Sequence, residues 1–148
     1  MATTTFSGPV VSQNGFSDSR TSGGVCQNIR TRFTIAQVNA GATLLPAISG
    51  SRYRMVACKA IAVGGAAGAV TTVDILGTST TSRKLVAYAQ ASLTQSTVLF
   101  DGGSGGAVLA DGASYTANDE NTAITISKTG SDVTTATHID IVFSYVIE

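Results

Sequence analysis

From about residue 25 to the end, apolar and polar residues alternate with a period of two, the mark of strands that bury one face. In Ile29-Arg30-Thr31-Arg32-Phe33-Thr34-Ile35, apolar residues and Thr take one face and Arg the other. The clearest run is the last, His138 to Ile147, where Ile139, Ile141, Phe143, Tyr145 and Ile147 make one apolar face. Further strands are predicted at Thr71–Leu76, Leu85–Tyr88, Thr97–Phe100 and Ala123–Ile126. Arg52 to Val63 is mostly apolar, as expected of a strand buried on both faces. A stretch of helical period competes with strand over residues 84–93, where Ala and Leu are dense.

Breakers separate these runs: Asn39-Ala40-Gly41, Ser49-Gly50, Gly64 to Gly68, Gly77, Asp101 to Gly106, Asp111-Gly112 and Thr129-Gly130. Gly and Asp-Gly supply the positive φ that tight turns require. About seven to nine strands at this spacing predict an all-β, single-domain antiparallel β-sandwich of jelly-roll type. That domain is expected over residues 25–148. Residues 1–24 lack periodicity and are rich in Gly, Ser and Thr, with isolated apolar anchors Phe6, Pro9, Val10, Val11 and Phe16. They read as an extended N-terminal arm that orders on a neighbour, against the alternative of a disordered tail.

Composition fits such a domain. The chain is 43% hydrophobic and 12% charged, about half the usual charged fraction. A surface of hydroxyls and methyls resists self-association poorly and suits a protein partly covered by a partner. Nine basic and nine acidic residues cancel, which argues against nucleic acid as a partner, since phosphate neutralisation calls for a basic excess. No apolar stretch approaches the roughly 20 residues that span a bilayer, so no membrane partner is expected. The start Met1-Ala2-Thr3-Thr4-Thr5 lacks the charge and apolar core of a signal peptide, so synthesis in the cytosol is expected. Free thiols are then favoured for Cys26 and Cys58, the latter as a small core residue.

Candidate chemistry is sparse. His138 is the single histidine and shares a strand face with Asp140. A His–Asp pair can orient a general base, but a triad also needs a nucleophile, and no Ser sits in a Gly-x-Ser-x-Gly elbow. The plainer reading is a polar outer face of the last strand. One His and two dispersed Cys do not make a standard zinc site. Asn118-Asp119-Glu120-Asn121 lacks the ligand repeat of a calcium loop and reads as a solvated turn. Neither Gly64–Gly68 nor Gly102–Gly106 precedes the Lys-Ser/Thr of a P-loop. With no Trp, only Tyr53, Tyr88, Tyr115 and Tyr145 offer rings for sugar stacking. These readings lead to no enzyme, no cofactor and no metal.

Three segments carry a resemblance. The opening Thr5-Phe6-Ser7-Gly8-Pro9-Val10-Val11-Ser12-Gln13-Asn14-Gly15-Phe16 resembles the start of small proteins encoded beside the major capsid gene in tailed bacteriophages. Val108-Leu109-Ala110-Asp111-Gly112-Ala113-Ser114-Tyr115 and the ending Thr137-His138-Ile139-Asp140 through Ile147 look like the same group. Similar proteins are capsid decoration (cement) proteins, β-rich and commonly trimeric, which sit where capsomers meet and tie shell subunits together. The resemblance implies a homotrimer on the capsid exterior of a virion, made in the host cytoplasm, with the major capsid protein as partner. Partner binding would then fall to the arm anchors Phe6, Pro9, Val10 and Phe16. The alternative from the same residues is a receptor- or glycan-binding module of a head fibre or tail.

Overall fold

The computed structural model describes residues 25–77, 84–100, 108–109 and 118–148. Its elements in chain order are β1 (Gln27–Thr34), α1 (Ile35–Ala40), β2 (Ala42–Leu45), β3 (Tyr53–Val63), β4 (Val70–Leu76), β5 (Val86–Ala89), β6 (Leu99–Phe100), β7 (Val108–Leu109), β8 (Ile124–Gly130) and β9 (His138–Ile147). They form a four-stranded sheet of order β1-β9-β3-β6 and a five-stranded sheet of order β2-β8-β4-β5-β7. Every strand pair among the described residues is antiparallel. The chain crosses between sheets from β1 to β2, from β2 to β3 and from β3 to β4. This interleaving is the jelly-roll order, with β7 added outside β5. The all-β sandwich expected from the period-two pattern is the fold.

The interior is filled by the inward residues of both sheets. Ile139, Ile141 and Phe143 of β9 are fully buried, as are Val73 and Ile75 of β4 and Ile124 and Ile126 of β8. Rings collect at one end of the core. Tyr53 meets Tyr145 edge-on with centroids 5.3 Å apart, and Phe143 lies 5.9 Å from Tyr145, spacings at which aromatic pairs attract beyond their area burial. The Cys58 thiol is fully buried in β3, while the Cys26 thiol is exposed just before β1.

The register explains why the β3 segment reads as apolar throughout. Met55 pairs with Tyr145 and Ala57 with Ser144, leaving Val56 as the extra residue of a β-bulge. A bulge shifts which residues face inward. Tyr53 points in before it, and Cys58, Ala60 and Ala62 point in after it. The expectation of a strand buried on both faces is therefore corrected: one face is core, and Val56 is 54% exposed.

Helix and strand also trade places relative to expectation. The first strand ends at Thr34, and Ile35 opens α1 instead of closing β1. Thr34 caps the helix: its Oγ1 accepts from the Gln37 amide, while the Gln37 side chain accepts from the Thr34 amide. Both donors would otherwise lack partners. Gly41 ends the helix with φ 81°, the left-handed region where glycine carries no Cβ penalty. The helical period at residues 84–93 resolves as β5 followed by a turn in which the Leu93 amide reaches the carbonyls of Ala89 and Gln90.

Candidate functional site

The two sheets present different outer faces. On the five-stranded sheet the outward residues Thr72, Asp74, Ala87 and Ala89 are buried. Lys84 lies across them, its Nζ 2.8 Å from Thr129 Oγ1, 3.2 Å from Asp74 Oδ1 and 3.3 Å from Thr72 Oγ1. Thr129 in turn donates to Asp74 Oδ2 at 2.7 Å. The carboxylate and ammonium are thus desolvated together: the ammonium holds two threonine hydroxyls and Asp74 Oδ2 holds one, while Asp74 Oδ1 is met by the Lys84 charge without a hydrogen bond.

The outer face of the four-stranded sheet is open. Register places Arg30 of β1 opposite Val142 of β9, Val142 opposite Lys59 of β3, and Lys59 opposite Phe100 of β6. These four residues form one row across all four strands. Phe100 is 49% exposed, and the Lys59 ammonium stands 4.9 Å from its ring centroid, within cation–π range. Rows on either side add Ile61, Val63, Ala57 and Val146, all partly exposed. An apolar centre rimmed by cations is the anatomy of a protein-binding face.

Three arginines border it, Arg30, Arg32 and Arg54, and a fourth cation, Lys59, stands inside the central row between Val142 and Phe100. Two carboxylates stand among them. Asp140 accepts from Arg32 Nε at 2.7 Å and Nη2 at 2.8 Å, and from Arg30 Nη2 at 3.3 Å. Glu148 holds Arg54, with Arg54 Nε 2.8 Å from Oε1. The Arg32 hydrogen bonds, with lesser help from Arg30, hold the Asp140 carboxyl below its ordinary pKa against the opposing effect of burial.

The pairing of His138 with Asp140 is not made. Both lie on the outer face of β9, as the i, i+2 spacing requires, but Asp140 turns to the arginines. His138 Nδ1 lies 3.0 Å from Thr137 Oγ1. The segment from Asn118 to Asn121 is the exposed turn expected of it over Asp119, Glu120 and Asn121, with its first residue as the exception. Asn118 is buried: it accepts from the Tyr53 amide at 2.8 Å and donates to the Gly77 carbonyl at 2.5 Å. Asn121 accepts from the Gly50 amide at 2.6 Å. These side chains staple the starts of β3 and β8 to the end of β4. Among the described residues no three His, Cys, Asp or Glu side chains gather closely enough to hold a metal ion.

Of the tyrosines considered for sugar stacking, Tyr53, Tyr88 and Tyr145 are core residues. Tyr115 and the arm anchors Phe6, Pro9, Val10 and Phe16 lie outside the described residues. The alternation of Arg30 and Arg32 marked one edge of the open face in advance. Val56, Lys59 and Phe100 carried no such mark, because their exposure depends on the bulge and on the sheet's strand order. No family model, curated protein or solved structure matches this chain.

Proposed function

We propose that this chain is a structural virion protein that binds the outer surface of a phage capsid and stabilises contacts between major capsid protein subunits. The observation that carries the reading is the open face of the four-stranded sheet, apolar at its centre and bordered by arginines, on a chain with low overall charge. Such a face is costly to leave in water and gains by being covered. The resemblance of the opening segment and of the β9 segment to decoration proteins supplies the partner. Jelly rolls serve both viral shells and lectins, so the fold supports the reading only by analogy.

A clamp that binds only the assembled lattice stabilises it by mass action, without any catalytic step, cofactor or metal. Copies around a three-fold axis would make heterologous contacts that close into a trimer. The arm anchors Phe6, Pro9, Val10 and Phe16 would reach an adjacent subunit. Co-sedimentation of the protein with undecorated shells tests this. Saturable binding that falls on deletion of residues 1–20, with thermal unfolding of the domain unchanged, is expected. Absence of binding by the full chain would refute the reading, and equal binding by the truncated chain would remove the arm from it.

A further inference from the structure

We propose that the row Arg30–Val142–Lys59–Phe100 is a docking surface for a protein face that presents two carboxylates flanking an apolar side chain. The proposal rests on the decoration reading for the identity of its partner, a shell subunit, and on the geometry of the sheet for its chemistry. Arg30 and Lys59 lie on strands separated by β9 alone, so their backbones are roughly 10 Å apart. Val142 lies between them in register, and Phe100 ends the row beyond Lys59. The Arg30 side chain is 73% exposed although its guanidinium leans on Asp140 at 3.3 Å, and Phe100 is half exposed beside the Lys59 ammonium.

Charge selects the occupant. The whole chain has zero formal net charge, yet four cations on this face stand against two carboxylates, Asp140 and Glu148. A second copy placed face to face would set Arg30 and Lys59 against like charges, which interfaces avoid. Nucleic acid is disfavoured by the Asp140 carboxylate set between the arginines and by the single exposed ring among the described residues of the face, Phe100, where base stacking uses several. An acidic, partly apolar protein surface satisfies the cations and covers Val142, Ile61 and Phe100 together.

The double charge reversal Arg30→Glu with Lys59→Glu tests this on the full chain. Wild-type protein should sediment with undecorated shells and release as sodium chloride is raised. The reversed protein should bind about tenfold more weakly or worse, and Phe100→Ser should weaken binding without lowering the unfolding temperature. Glu120→Lys, in an exposed turn that contributes no residue to the row, should bind as wild type does. Wild-type binding that survives both the reversal and Phe100→Ser overturns the docking surface and leaves the decoration reading standing. If wild type does not bind shells, the decoration reading fails, and a polyglutamate peptide followed by amide chemical shifts decides the surface separately. Shifts centred on Arg30, Lys59, Val142 and Phe100 would sustain it. Their absence, tighter binding of a single-stranded DNA oligonucleotide, or self-association lost on reversal would each overturn it.

Discussion

Arg32 holds Asp140 through two parallel hydrogen bonds, at positions that β1 and β9 place directly opposite one another. The geometry is the fork-on-fork match of guanidinium and carboxylate. It fastens the edge strand β1 to the centre of its sheet and so keeps Arg30 in place on the open face.

Asp140 therefore makes stability depend on acid. Its folded pKa lies below the ordinary 3.8, first because of the Arg32 hydrogen bonds. The contribution is complete above that ordinary value and is lost as pH falls through the lower folded value. Asp140→Asn should unfold at a lower temperature than wild type at neutral pH, and the gap should narrow below about pH 4. Thermal unfolding followed by circular dichroism across that range checks it. A gap that stays constant down to strong acid would separate Asp140 from the acid response.

The alkaline side rests on tyrosine. Burial, and secondarily the neighbouring Tyr145, push the Tyr53 phenol from 10.0 up to about 12, and burial raises Tyr145 as well. A raised folded pKa contributes stability that is complete below the ordinary value of 10.0 and lost as pH climbs through about 12. Tyr53→Phe should forfeit the hydrogen bond to the Pro46 carbonyl yet lose less stability between pH 10 and 12. Phenolate absorbance should show one fewer late-ionising tyrosine in the variant than in wild type.

The Lys84–Asp74 pair is the place where a single charge deletion should hurt most. The side chains are 14% and 2% exposed, so Lys84→Ala leaves a carboxylate in a dry site at a cost of about 3–5 kcal/mol. Lys84→Met combined with Asp74→Leu should recover much of that loss, because the penalty is the unpaired charge and not the missing contact. Urea unfolding of the single and double variants measures the coupling. A double variant no more stable than Lys84→Ala would contradict it.

Thr34 offers a milder check of local structure. Thr34→Ala removes the side-chain acceptor for the Gln37 amide and should cost about 1 kcal/mol. Thr34→Asn should restore most of it. Faster amide exchange at Gln37 in the alanine variant alone would locate the effect in the cap.

The sandwich was legible because a period of two survives wherever a strand runs without interruption, as in β9. It failed where local devices override the period. The bulge at Val56 reverses inward and outward positions in mid-strand. A second bulge at Thr71 does the same at the start of β4, where Thr72 and Asp74 look like surface residues but are covered. Thr34-Ile35-Ala36-Gln37 carries a capping-box signature, yet a β-branched run leading into it reads equally well as strand. The open face was only half legible: the arginines of β1 announced a polar side, but its centre depends on Val142 and Phe100, with Lys59 between them, coming together from three strands far apart in the chain. Asn118 gave no signal, since an Asn before acidic residues looks like a turn until its three segments converge on it.

The most direct test of the proposed decoration role is the copy number of this chain in purified particles of a phage that carries its gene, measured against the major capsid protein by quantitative peptide mass spectrometry. A lattice-wide clamp predicts a count comparable to the shell protein. A few copies per particle would move the chain to a fibre or tail, and its absence from particles would contradict a structural role in the virion.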